Sequence, residues 1–474
     1  MASRHTFADS IQTTLTTLQG QLGGQKVLTD AAHLESYAWD NTGLYARPHG
    51  VVLAQTVKDV QTTLALCHEH RVPVIPRTAG TGNVGGALAV EGGIILSLQR
   101  MNRVLEVHAA DRLAVVEPGV INNDLQGELV SHGLFWPPNP SSAKSCAIGG
   151  NLAMCSAGPN AVRFGVVRDW VMGLNVVTAD GTLLRTGSRC SKSVTGYDMT
   201  RLLVGSEGTL GVITQAILKL APKPAVQRTL RVIYSSLESA SEAVSAIMAA
   251  GVPPTALEFM DGACLGLLRQ SGMDIPTQAA ALLLLEVADD AERVEAELKR
   301  MVAILQKFAP LELVTANNDH EAKEVWAARY ALSPLLKNLA PKRINEDVAV
   351  PVSRLPALIE GLQQIARKVD LPMANFGHAG NGNIHVNLLV DPEDSAVMDR
   401  VPEALDRVFS LVVKLDGTLS GEHGIGFQKR DYLGWELDAE NLAMQQQLKK
   451  LFDPHGILNP GKLFSPHPRP PLVL

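Results

Sequence analysis

The sequence predicts an α+β protein made of two unlike parts. Three observations predict it. Residues 40–221 are dense in glycine and in short Val/Ile runs, and they open with a strand–helix–strand alternation. The stretch Ala221-Pro222-Lys223-Pro224-Ala225 then places two prolines within five residues, a domain boundary by composition. From about residue 227 strands alternate with periodic helices, the pattern of an antiparallel sheet covered on one face.

Composition bounds the rest. The chain has 474 residues, 46% hydrophobic and 19% charged, which is ordinary globular usage for two or three domains. The net charge of −6 gives no basic footprint, and 4% aromatics offers few stacking platforms, so no nucleic-acid partner is expected. The opening MASRHTFADSIQTTL lacks an apolar signal core, and no apolar run is long enough to span a bilayer. Cys67, Cys146, Cys155, Cys190 and Cys264 form no CxxC or metal pattern and read as buried thiols of a reducing compartment, the cytoplasm.

In the first part, Gly50–Leu53, Ile94–Leu98 and Leu113–Val116 read as strands. A helix over Val57–His70 precedes Val72–Ile75, and residues 210–220 close the region as a strand. In the second part TLRVIYSS, PTALEFMDG, ALLLLEVADD, LELVTAN and INEDVAV read as strands. LESASEAVSAIMAAG, AERVEAELKRMVAILQKF and EAKEVWAARYALSPLL read as helices, and DAENLAMQQQLKKLF gives one more near the end.

Three segments of the first part carry small residues and donors. Pro76-Arg77-Thr78-Ala79-Gly80-Thr81-Gly82-Asn83-Val84-Gly85-Gly86 follows a strand, and its glycines let backbone N–H groups approach phosphate oxygens. It has no GK[ST] and no clean following helix, so it is neither an NTPase loop nor a dinucleotide fingerprint of the usual kind. Residues 138–165 and Gly205–Ile213 repeat the chemistry. Together the three suggest an extended cofactor wrapped by backbone.

The second part carries histidines. His378 and His385 bracket Gly380 and Gly382, which argues for strand, tight loop, strand; His385 and Asn387 then share a face. Ser420-Gly421-Glu422-His423-Gly424-Ile425-Gly426 adds an adjacent acid and base. Two imidazoles and a carboxylate suit a divalent transition ion, with His423 left as a base. On these residues alone a zinc hydrolase fits equally well.

The runs RTAGTGNVGG, PPNPSS with IGGN, VTGYD, LLVGSEGTLGVIT, GHAGNGNIH, SGEHGIG and LFDPHGILNPGK, in this order, resemble the flavin-linked 2-hydroxyacid dehydrogenases of the vanillyl-alcohol-oxidase-like superfamily. The resemblance covers roughly residues 35–465. Thr78-Ala79 stands where that family often has glycines, and Asn381 where it often has Asp. The resemblance implies a PCMH-type FAD-binding domain of two subdomains over residues 1–221, an antiparallel-sheet cap domain for substrate over 222–423, and a segment 424–474 that completes the first.

It also implies roles. Arg77, Thr78, Gly80, Thr81, Gly82 and Asn83 would hold the FAD pyrophosphate. Pro140, Ser141, Ser142, Gly149, Asn151 and Ser156 would line the flavin, Glu207, Gly208 and Ile213 the adenosine side, and Asn459 would reach the ring. No histidine or cysteine stands in an attachment place, so the FAD is expected to be non-covalent. His378, His385 and Glu422 would coordinate Zn²⁺ or Mn²⁺. His423 would take the substrate proton, Arg329 would clamp its carboxylate, and Asn387 would bond substrate or a ligand.

The substrate implied is a D-2-hydroxyacid. Lys342 and Arg343, three and two residues before Asn345, keep a dicarboxylic substrate open, but the acidic neighbours Glu346 and Asp347 disfavour it and the run RINEDVAVPVSRLP resembles the D-lactate group; D-lactate is favoured, with 2-hydroxyglutarate and glycolate behind it. The electron acceptor is left open among quinone, cytochrome, electron-transferring flavoprotein and oxygen. A homodimer is expected, and peripheral contact with the inner membrane stays open. A non-catalytic flavin subunit is the remaining reading of another class.

Overall fold

The computed structural model describes residues 7–470 except 317, 337 and 339, and the backbone alone at 319. It divides into two compact units. The first takes the chain up to Ala157, then Val166–Lys223 and Glu422–Arg469. The second is built chiefly from Gly158–Gly165 and Pro224–Gly421. The units change over at Lys223/Pro224 and at Gly421/Glu422, and an eight-residue excursion at 158–165 joins the second unit. Its reason is local. Arg163 forms ion pairs with Asp289 and Glu297, and Val162 packs so closely on Gly380 that a Cβ there would meet it at 2.6 Å.

In the first unit, Val27–Leu28, Gly50–Leu53, Ile94–Ser97 and Val74–Arg77 form a four-stranded sheet in that spatial order. The last three strands run parallel. The helix Val57–His70 supplies the crossover. Thr56 and Asp59 form a capping box at its start, and Arg71 ends it at φ 55°. Val60, Thr63, Leu64 and Cys67, spaced three and four apart, are its buried stripe. The Val72 N–H closes on the Cys67 carbonyl, which is why the next strand starts at Val74 rather than at Val72. A second, antiparallel sheet has the order Val104–His108, Leu113–Val116, Val212–Lys219, Val171–Val177, Leu183–Gly187.

The C-terminal segment returns to the first sheet. Val74 donates its N–H to Ile457, and the Asn459 N–H donates back to the Val74 carbonyl, both at 2.8 Å.

The second unit is a seven-stranded sheet in the order Glu312–Thr315, Val226–Tyr234, Ala281–Asp289, Ala256–Asp261, Met373–Gly377, Asn383–Val390, Lys342–Ala349. Every neighbouring pair is antiparallel. Helices do not cover one face only, as the alternation suggested. Ala256–Asp261 and Asn383–Val390 are buried along their whole length, and Ala281–Asp289 at all but its last residue, so both faces are packed. The unbroken apolar run ALLLLEVA is the signature of that double burial. Gly262–Gln270 and Asp319–Leu336 bury Leu265, Leu268, Trp326 and Leu332 in the cluster on one face.

The cysteines also depart from expectation. Cys190 is exposed and Cys155 half-buried; only Cys67, Cys146 and Cys264 are buried, and all five are free thiols. Cys190 begins an exposed loop, residues 190–198, on which Val194 and Tyr197 are almost wholly solvated. No helix among the described residues is long and apolar enough to cross a membrane.

Candidate active site

In the first unit, the strand Val74–Arg77 ends in the glycine-rich loop. Gly80 takes φ 69°, and a Cβ on Gly82 would meet nothing within 4 Å. Among the described residues the amides of Ala79, Gly80, Thr81 and Gly82 donate to no protein acceptor. A run of unclaimed N–H groups beside open space is the chemistry of an anion cradle. The Arg77 guanidinium is engaged with the carbonyls of Tyr37, Trp39 and Ala87, so what Arg77 brings to the loop is its fixed backbone. Thr78 is buried beside it.

The second glycine-rich segment packs next to the second sheet. Ile148–Met154 is a short helix in which a Gly149 Cβ would strike Pro118 at 2.6 Å, so only glycine permits the approach. Asn151 accepts from Asn122 at 3.2 Å. The Ser156 hydroxyl is buried and has no partner, an unfilled polar position that suits a bound polar group. Pro140 is buried, while Ser141 is exposed and Ser142 uses its carbonyl to receive the Ser145 and Cys146 amides.

Glu207, Gly208 and Asn459 join these pieces. Glu207 sits at φ 53°, and its carboxylate receives the N–H groups of Ile425 and Gly426 at 2.7 and 2.8 Å. Burial pushes that carboxyl up to about 7 against these bonds and the charges of Lys462 and Lys429. Asn459 Nδ2 donates to the carbonyls of Gly86 and Glu207. The side chains of Glu207 and Asn459 therefore tie loops to one another. Gly208 packs on Pro76, and Ile213 is buried in the strand behind them. In the same unit His423 Nε2 lies 3.1 Å from Asn83 Nδ2.

In the second unit, one sheet face carries a polar cluster in otherwise apolar surroundings. His378 follows Met373–Gly377 and His385 lies on Asn383–Val390, joined by one 3₁₀ turn that ends in Gly382 at φ 70°. The rings are edge-to-face with centroids 5.2 Å apart. His378 Nδ1 lies 2.5 Å from Glu258 Oε1, and Arg329 Nε donates to Glu258 Oε2 at 2.5 Å. The Arg329 guanidinium also stacks on Phe376 at 4.5 Å. Burial would raise the Glu258 carboxyl, but the charges of His378 and Arg329 and their hydrogen bonds outweigh it and hold it at about 2.

The strand register extends the cluster. Asp347 lies opposite His385, Asn345 opposite Asn387, and Arg343 opposite Leu389. Alternation puts Arg343, Asn345 and Asp347 on the same face as His385 and Asn387. Asn387 Nδ2 donates to the carbonyls of Ala374 and His385, while its Oδ1, the Asn345 Oδ1 and Arg343 Nη1 are buried without a hydrogen-bond partner. No ion pair joins Arg343 to an acid among the described residues.

The segment after the last helix of this unit lies on the same strand: Thr418 N–H donates to Ala349, and Ser420 Oγ donates to Asp347 Oδ2 at 3.0 Å. Gly421 abuts Asn383, and Glu422 is the next residue, where the chain returns to the first unit.

Sequence reading passed over Glu258, Glu286, Asp347 as a partner of His385, and Arg343 as a half-buried cation on their face. A signal existed for Glu258: it is one acid amid the apolar residues of ALEFM, and such an acid must find a partner inside. Glu286 is its counterpart in LLLLEVA. It accepts from Trp326 Nε1 at 3.0 Å and from Gln227, and burial pushes its carboxyl up to about 7 from an ordinary 4.5. The folded chain then keeps a proton that the unfolded chain releases, so this group favours folding fully below pH 4.5 and loses that contribution as pH rises to about 7. Glu286→Gln is expected to flatten the decline in melting temperature over that interval; an unchanged slope would mean that Glu286 does not titrate there.

With this geometry in view, comparison with known proteins identifies the class. Residues 48–187 match the family model described as an FAD binding domain, and residues 223–463 the C-terminal domain of FAD linked oxidases. The chain belongs to the FAD-linked 2-hydroxyacid dehydrogenase family, with the PCMH-type fold. It is 40% identical over 439 residues to the glycolate oxidase subunit GlcD of Bacillus subtilis, covering 92% of this chain and 93% of that one. It is 31% identical to a D-lactate dehydrogenase of Anaerostipes hadrus, covering 94% and 95%. It is 32% identical to a D-2-hydroxyglutarate dehydrogenase of Stutzerimonas stutzeri, covering 93% and 96%. A structure of p-cresol methylhydroxylase matches with TM-score 0.80 at 17% identity, over 96% of this chain and 97% of that one, a likeness of fold.

The residues present fit FAD: unclaimed amides beside Gly82 suit the pyrophosphate, and the Ser156 hydroxyl awaits a partner. The His378 and His385 rings fit a divalent ion. Glu258 bonds one nitrogen of His378 and so fixes the orientation of its ring, as carboxylates do behind ligating imidazoles.

Proposed function

We propose that this chain oxidises a small D-2-hydroxyacid to the 2-oxoacid, with D-lactate to pyruvate the pair to test first. The observation that carries the reading is the polar cluster of the second unit, with two imidazoles, the buried Arg329, the half-buried Arg343 and paired asparagines on one face of an apolar sheet. Such a face receives a short ligand with a carboxylate and a hydroxyl, and little else would offset the cost of burying these groups.

Bound FAD would supply the two-electron acceptor, resting on the loop Arg77–Asn83 and on Ser156. His378, His385 and, one residue beyond Gly421, Glu422 would hold Zn²⁺ or Mn²⁺, which lowers the proton affinity of a hydroxyl beside it. Arg329 orients the substrate carboxylate, and Asn387 offers its Oδ1 to the hydroxyl. His423 takes the hydroxyl proton on its unprotonated ring nitrogen. A quinone, a cytochrome or an electron-transferring flavoprotein would be the acceptor that reoxidises the cofactor.

A longer dicarboxylic substrate is the second reading, and one observation favours it. Arg343 is a half-buried cation, its Nη1 out of solvent, with no acid partner among the described residues, placed on the same face as Asn387. The test is anaerobic mixing of the yellow protein with D-lactate, glycolate or D-2-hydroxyglutarate. Bleaching of the visible flavin band by D-lactate is expected to be fastest. No bleaching by any of the three would end the proposal. Exhaustive chelation is expected to stop bleaching and leave the flavin bound; full activity after chelation would remove the ion from the reaction.

A further inference from the structure

The turn between His378 and His385 has little of its own to hold it. Ala379-Gly380-Asn381-Gly382 supplies one buried methyl and one exposed side-chain amide. Its rigidity comes from what packs on it. Gly382 lies against Val350, whose carbonyl oxygen a Cβ would meet at 1.9 Å, and the Val350 amide donates to the Gly382 carbonyl at 3.1 Å. Gly380 meets two side chains. A Cβ there would stand 3.2 Å from Leu257 Cβ and only 2.6 Å from Val162 Cγ2. Leu257 comes from the strand Ala256–Asp261, but Val162 comes from outside the sheet.

Val162 sits in the eight-residue excursion Gly158–Gly165, which belongs to the same unit as the histidines. The excursion begins at Gly158 with φ 103° and ends at Gly165 with φ 78°, conformations that glycine takes without strain. Arg163 anchors it. One guanidinium nitrogen pairs with Asp289 at the end of Ala281–Asp289, and the other lies 3.2 Å from Glu297 on the helix Ala291–Leu305. The valine is branched at Cβ and stiff at χ1, so it cannot swing aside from Gly380 as a long side chain would.

We infer that Val162, held in turn by Arg163, is the positioning residue for the hairpin of His378 and His385: it presses on Gly380 and fixes the spacing and tilt of the two imidazoles for a divalent ion. The inference rests on the reading of these histidines as ligands. Val162 offers the ion no donor atom; it acts through the turn, as partners outside the ligand shell do in other metal sites.

The experiment uses flavin-loaded protein stripped of metal by chelation. Zn²⁺ is titrated by calorimetry, and deuterium uptake by the peptide covering residues 378–385 is followed by mass spectrometry. Val162→Ala is expected to weaken Zn²⁺ binding about 10-fold. It is also expected to speed uptake at the turn and to leave uptake over Val212–Lys219 unchanged. Val162→Thr keeps the branched outline and is expected to bind Zn²⁺ nearly as tightly as the parent. Gly380→Ala is expected to weaken binding more in the parent than in a Val162→Ala background, where the added methyl finds room, because residues in contact are not additive.

Parent-like affinity in Val162→Ala, a Val162→Thr protein as weak as Val162→Ala, or equal losses from Gly380→Ala in both backgrounds would each overturn the inference. A parent protein that binds no Zn²⁺ removes the ligand reading by itself. Exchange then decides the positioning: faster uptake in Val162→Ala upholds the grip on the hairpin, and unchanged uptake defeats it. If Val162→Ala yields no folded protein, Arg163→Met loosens the excursion without opening a space at Gly380. Weaker Zn²⁺ binding with faster uptake at the turn in that variant supports the inference, and parent-like behaviour defeats it.

Discussion

His423→Ala is expected to give a protein that is still yellow but that D-lactate bleaches about 10²- to 10⁴-fold more slowly, the usual contribution of a placed general base. The colour should survive because the cradle does not need the ring. The amides of Ala79–Gly82 and the ties from Asn459 to Gly86 and Glu207 involve no atom of His423. The loop should survive too, since Glu207 holds it through the backbone of Ile425 and Gly426. Loss of colour would therefore place His423 in cofactor retention, and unimpaired bleaching would place the proton elsewhere.

The second large effect concerns stability. Glu258 has no exposed surface and is the shared partner of Arg329 and His378. Glu258→Leu leaves the Arg329 guanidinium buried without a counter-charge, which costs about 3–5 kcal/mol. Trp326 is the one tryptophan of the second unit and packs in the cluster beside this pair, so its fluorescence reports unfolding there. Denaturant titration should show a lower midpoint for Glu258→Leu. Adding Arg329→Met should recover much of the loss, because a pair removed together strands no charge. A single variant within about 1 kcal/mol of the parent would mean that water reaches the pair.

The contrast between these residues shows what a sequence makes legible. The helix Val57–His70 could be read because its cap, its apolar period and its end all lie within one segment. The hairpin bearing His378 and His385 could be read because the glycines that force the turn stand between the histidines. Glu258 could not be linked to Arg329 and His378, which lie 71 and 120 residues away, since nothing local states which strand will become a neighbour. The alignment of Asn345 with Asn387 and of Asp347 with His385 is likewise a matter of strand register, set when the sheet closes. Double burial of the sheet was legible in ALLLLEVA, yet the alternation of helices and strands suggested a single covered face.

The second unit is inserted within the first, and Val74 is hydrogen-bonded to Ile457 and Asn459. A chain emerging from the ribosome can complete the inserted sheet while the dinucleotide cradle still lacks its last strand-like segment. Assembly of the cradle must wait until residues 457–459 have emerged, and closure between Val74 and Ile457, so far apart in sequence, is the slow kind of contact to form. Nascent chains truncated just before the tail should therefore emerge with a protease-resistant middle and a first unit unable to retain its prosthetic group.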